Sequence, residues 1–115
     1  MIFAKIRTKA IKTYFGDKEQ RLKLIEEMNE LIEAIEKGDE DNFIEELADV
    51  SLLIDQFNCE EFHRIKRKKI NRTIARIFSN HYSMDNHDAR MERTISYMKD
   101  ELGEVEGQDY LMSFK

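Results

Sequence analysis

The chain has no proline, only four glycines and a single cysteine in 115 residues, and each scarcity excludes something. Without proline and with so little glycine, a turn-rich β fold is disfavoured and long helices are favoured. A lone cysteine, Cys59, rules out an internal disulfide and cannot build a cysteine zinc site by itself. No apolar run approaches the roughly 20 residues of a membrane span. The first residues, Met1 to Arg7, carry charges where an export signal would have its apolar centre. The expectation is a soluble, cytoplasmic protein of one domain, long enough to bury a core.

Charge is plentiful and unevenly placed. There are 19 basic and 24 acidic residues, for a net charge of −5. Residues 17–61 are strongly acidic, whereas His63 to Arg76 are strongly basic. An acidic total argues against a general nucleic-acid binder. The internal polarity suits an acidic metal site with a basic surface for phosphates.

Periodicity and punctuation predict an all-α antiparallel bundle of four to five helices. The first runs from about Phe3 to Phe15 and stops at Gly16. Asp17 then reads as an N-cap, with Gln20 in capping-box position. The second helix stops at Gly38, a good C′ residue. Asp39 or Asp41 caps the third, which continues to about Phe57. Asn58 with Glu61 makes a further capping box, and the fourth helix ends near Asn80. After a loop in which Ser83 is a cap candidate, a fifth helix runs from about Asp85 to Leu102, followed by an irregular tail. Residues 1–79 are expected to form the core, and 80–115 a terminal helix and tail in the same domain or an oligomerisation arm.

The second and third helices carry near copies of one motif, Glu26-Glu27-Met28-Asn29-Glu30-Leu31 and Glu45-Glu46-Leu47-Ala48-Asp49-Val50. Leu24, Met28, Leu31 and Ile35 form one apolar stripe, and Phe43, Leu47, Val50 and Ile54 another. Glu27 and Glu30 lie beside the first stripe, Glu46 and Asp49 beside the second. Folding the chain back about Gly38 sets positions whose numbers sum to 76 opposite each other. Glu30 then faces Glu46, and Glu27 faces Asp49. Few basic residues lie close enough in sequence to neutralise them. Four acids at one level repel unless a cation separates them, and an all-oxygen set suits Mg²⁺, with Mn²⁺ as a substitute. Acids three apart are common on solvated helices, and Glu101 with Glu104 illustrates that background. The two motif pairs stand apart because rotational position and height agree. Leu22, Ile25 and Ile32 flank the first stripe, and Leu52 and Leu53 lie off the second. The core is therefore expected to be completed by a homodimer or homotetramer.

The order Glu26-Glu27-x-x-Glu30, a short spacer, then Glu46-x-x-Asp49 resembles the signature of the all-α nucleoside triphosphate pyrophosphohydrolases, the MazG-like group related to the dimeric dUTPases. Phe15-Gly16 with Gln20, Gln56, and Lys69-Ile70-Asn71-Arg72 with Arg76 extend the likeness to short members, many of them phage-encoded, which would place the protein in a host cytoplasm. The likeness covers about residues 12–77; nothing in 80–115 adds to it. It implies that Glu27, Glu30, Glu46 and Asp49 hold Mg²⁺. It also implies cleavage of a nucleoside triphosphate between the α- and β-phosphates, leaving a monophosphate and pyrophosphate.

Such a reaction needs a carboxylate that takes a proton from the attacking water. Glu27 or Glu26 can do so, and the sequence does not choose between them. A triphosphate also needs cations beyond the metal. Lys69 and Arg72 match the family positions, with Arg76 and Asn71 behind them, although a basic row on a helix is also what a solvated face looks like. Phe15, Gln20 and Gln56 are pocket residues by position, or else core and surface. Glu60-x-x-His63 spells half of a di-iron bundle site, but no second copy exists. The rival reading is a non-catalytic nucleotide-binding or protein-interaction module on the same fold.

Overall fold

The computed structural model describes residues 2–103. They form five helices: α1 Ile2–Phe15, α2 Asp17–Lys37, α3 Glu40–Asp55, α4 Glu60–Phe78 and α5 His87–Leu102. No strand occurs among the described residues; the protein is all-α, as its composition predicts. The tail expected beyond Glu104 lies outside the described residues. The chain divides into two compact units, one ending at His63 and one beginning at Arg64.

The first unit is built on the α2–α3 hairpin, with α1 packed against both arms. Its turn is set by Gly38, which adopts the left-handed conformation at φ 67°, ψ 25°. That geometry lets the Gly38 N–H donate to Ile35 O at 3.1 Å and the Asp39 N–H to Ala34 O at 3.3 Å, closing the last turn of α2. Asp39 then caps α3, its carboxylate accepting from the Asn42 N–H at 3.1 Å. One residue ends a helix and the next begins another, so the arms must run antiparallel in a fixed register.

Three caps differ from expectation. The α2 N-cap is Gly16, at φ 93° and with no side-chain bond. Asp17 is instead the first helical residue, engaged by Arg21 at 2.7 Å and Lys12 at 3.4 Å, where an acid also favours the helix dipole. Gln20 is buried rather than free to reach back. At α4 it is Cys59, not Asn58, whose Sγ accepts from the Phe62 N–H at 3.4 Å. Before α5 stands Asn86 at φ 57° without a side-chain cap, so Ser83 does not serve. Helix α3 also ends earlier than Phe57, because Gln56 and Phe57 donate to Leu53 and Ile54 three residues back and tighten the chain there.

The packing of the hairpin reverses part of the sequence picture. The buried line of α2 is Gln20, Glu27 and Ala34, and that of α3 is Val50, Leu53 and Gln56. Of the apolar stripes expected to form the core, Met28, Ile35, Leu47 and Ile54 are instead exposed, Leu24, Leu31 and Phe43 half-buried, and Val50 alone buried. Small Ala34 explains the choice near the turn, where it lets the arms approach closely. The seam thus falls on the face bearing the acids, and the apolar faces look outward. Ile25, Ile32 and Ile35 are 59%, 50% and 58% exposed. In the second unit, the Arg90 Nε donates to Asp85 O and His87 Nε2 meets Asn80 Oδ1 at 2.8 Å, tying the loop to the start of α5.

A candidate metal centre and an adjoining cavity

The hairpin register carries acids from both arms into one cluster. Glu27 on α2 with Glu46 and Asp49 on α3 each present a carboxylate oxygen, and these oxygens lie within 4.8 Å of one another. Glu27 is buried, Glu46 half-buried and Asp49 exposed, so the cluster has an inner and an open side. Glu30 joins it by contact with Glu27 and Glu46. The hydrogen bond to Glu27, then that to Glu46, then the charges of both, push the Glu30 carboxyl up from 4.5 to about 7. Two carboxyl groups in contact share a proton where no cation is available.

A cation of the chain's own also reaches the site. Lys23 Nζ lies 3.2 Å from Glu27 Oε1 and 3.4 Å from Glu26 Oε1. The hydrogen bond to Glu27 and the charge of Glu26 push its ammonium above its usual range. The sequence reading passed over Lys23, although its position four residues before Glu27 is the spacing at which helix side chains meet. Glu26 itself is 60% exposed at the side chain.

The donor set fits a hard divalent cation. It is all oxygen, and Glu27 Oε2 and Glu46 Oε2 are buried without any hydrogen-bond partner. An unpaired buried acceptor of this kind costs about 1–3 kcal/mol, and more when charged; a cation among the carboxylates offsets that cost. Lys23 bonds Glu27 through Oε1, so with Glu30 ionised neither of these two oxygens has a donor.

Beside the cluster lies a cavity of about 450 Å³ lined by Ile11, Phe15, Glu19, Gln20, Lys23, Glu27, Asp49, Leu52, Leu53 and Gln56. Phe15 stands at its edge, half of its surface open, against Tyr14 in an edge-on ring contact of 4.8 Å between centroids. Gln20 and Gln56 are both buried in its wall, at 6% and 2% exposure. Lys69, Asn71, Arg72 and Arg76 lie in the second unit, all exposed on α4. Lys69, Arg72 and Arg76 form no ion pair among the described residues.

A helical hairpin that gathers carboxylates from both arms beside an open cavity defines a class: all-α proteins with a candidate carboxylate cation site. Within that class the family model of the MazG nucleotide pyrophosphohydrolase domain matches residues 15–79. This span is more than half of the chain and contains both acidic motifs, and the chain belongs to that family. No curated protein and no solved structure matches it.

Proposed function

We propose that the protein is a Mg²⁺-dependent nucleoside triphosphate pyrophosphohydrolase, converting an NTP or dNTP to the monophosphate and pyrophosphate. The observation that carries this reading is the pair of partnerless buried oxygens on Glu27 and Glu46 within a cluster that includes Asp49. Glu27, Glu46 and Asp49, with Glu30 beside them, would hold the cation, which supplies Lewis acidity toward the phosphates and acidifies adjacent water.

The chain's own groups do the rest. Glu27 is the proposed proton acceptor in preference to Glu26, because it lies inside the cluster while the Glu26 side chain is exposed. Its carboxylate takes a proton from the attacking water as the new oxygen bond forms at the α-phosphorus. The bond to the oxygen bridging the α- and β-phosphates breaks, and pyrophosphate leaves with that oxygen. Lys69 and Arg72, with Arg76 and Asn71, are the proposed phosphate contacts; Lys69, Arg72 and Arg76 form no ion pair among the described residues. Phe15 and Gln20 are proposed to receive the nucleoside in the adjoining cavity.

The outward apolar faces of α2 and α3 support a homodimer or homotetramer, since a surface of this kind on a soluble chain marks an interface. No helix among the described residues is long and apolar enough to cross a membrane, and a cytoplasmic site of action accords with that. Pyrophosphate release from a panel of nucleoside triphosphates in Mg²⁺ tests the activity. It should be present in the wild type and lost in Glu46→Gln with the helical fold retained; release of orthophosphate alone, or no release, overturns the reading.

A further inference from the structure

We infer that Gln56 reads the nucleobase, selecting by its side-chain amide among bases that enter the cavity beside the carboxylate cluster; this rests on the nucleotide reading of that site. The reasoning starts from the hairpin register. Glu27 and Asp49, whose numbers sum to 76, belong to one cluster. Gln20 and Gln56 obey the same sum, and each stands seven residues from its acid, Gln20 from Glu27 and Gln56 from Asp49. Seven residues are two helical turns, about 10.5 Å. Two glutamines therefore lie two turns from two acids on opposing arms, and all four line the cavity.

Of these amides, Gln56 is the deeper, at 2% exposure, and its Oε1 is buried with no hydrogen-bond partner. A glutamine that only filled space there would be a poor choice, since leucine fills it without an orphaned acceptor. The terminal torsion of a glutamine is soft and two-fold, so the amide turns to present oxygen or nitrogen to the cavity at little cost. An N–H on the edge of a base supplies the donor the oxygen lacks, and the amide nitrogen returns a bond to the neighbouring acceptor. Phosphate offers no donor at neutral pH, so the polyphosphate end of a substrate is the wrong partner for this oxygen. The apolar walls, Ile11, Phe15 and Leu53, suit the faces of a planar ring.

The test is calorimetric titration of the full chain with adenosine, guanosine, cytidine, uridine and thymidine, none of which carries phosphate, and separately with tripolyphosphate in Mg²⁺. Wild type should bind at least one nucleoside, and Gln56→Leu should weaken that affinity about tenfold or more while its loss for tripolyphosphate is far smaller. Gln56→Met, similar in length but without either amide group, repeats the measurement should the leucine variant misfold. Equal nucleoside affinity in wild type and variants, or no nucleoside binding by wild type, overturns the inference. Nucleoside binding that depends on Gln56 in a protein without turnover sustains it while the hydrolase reading fails. Turnover with an unchanged base preference in Gln56→Leu does the reverse.

Discussion

Lys23 Nζ stands 3.2 Å from Glu27 Oε1, which gives the acidic cluster a resident cation on the same helix. A lysine in that position competes with a metal for the same carboxylate. Lys23→Ala is expected to lower thermal stability in chelator, because the cluster loses its only internal neutralisation among the described residues. The same substitution should enlarge the stabilisation produced by Mg²⁺. Melting curves with and without the ion check both halves; a variant that loses Mg²⁺ stabilisation would mean that Lys23 supports the site.

Glu46 is expected to behave in the opposite way. Its buried Oε2 lacks a partner, and Glu46→Gln replaces a repelling oxygen by an amide donor within reach of other acids. Metal-free stability should rise by about 1 kcal/mol, which is roughly 4–8 °C for a domain of this size. The Mg²⁺-induced shift should vanish. Asp49→Asn should follow with a smaller gain, since Asp49 is exposed. A fall in metal-free stability in both variants would remove the clustered arrangement from consideration.

The metal-free protein should also titrate in a characteristic window. Glu30 is pushed up from 4.5 to about 7 by its hydrogen bonds to Glu27 and Glu46. The folded state thus holds this proton more tightly than the unfolded chain, so the contribution to stability is fully present below the unfolded value and lost as pH rises through the folded one. In chelator, stability should decline between about pH 4.5 and 7, and Glu30→Gln should flatten that slope. Denaturant melts across this range give the answer, and a slope of the other sign would place Glu30 outside the cluster.

Lys69→Ala is expected to weaken triphosphate binding or turnover while leaving Mg²⁺ affinity nearly unchanged. Its ammonium is exposed and forms no ion pair among the described residues, so stability should change by less than about 0.5 kcal/mol. Parallel titrations with Mg²⁺ and with a non-hydrolysable triphosphate separate the two roles. Equal loss of both affinities would exclude a phosphate contact.

Ile32→Glu should break the proposed homo-oligomer. Ile32 is half exposed on the outward face of α2, where a charge would be harmless in a monomer and costly at a buried interface. Light scattering on wild type and variant reads this directly: a monomeric wild type would refute the oligomer.

Much of this molecule is legible in its sequence. The five helices and the Gly38 turn follow from periodicity and punctuation, and the acid register follows from the turn by simple counting. Boundaries were less legible, because a cap is decided by competition. Asp17 was taken by Arg21 and Lys12, and Cys59 took the place read for Asn58. The largest departure concerns which face is inside. Periodicity shows that Leu24, Met28, Leu31 and Ile35 share a side of α2, but not what packs against it. The hairpin closed instead on the Glu27 and Ala34 line. The i,i+4 pair of Lys23 and Glu27 is written in the same segment as the i,i+3 acids.

Gly38 sets more than a reversal of direction. Because one left-handed residue determines how the two arms are aligned, the acids and the glutamines two turns away move as a single gear. A residue inserted or deleted at this corner would slide both levels by the same tooth. A change of bend length therefore cannot shift the acids of one arm without shifting its glutamine too, whereas exchange of a single side chain can alter either level alone.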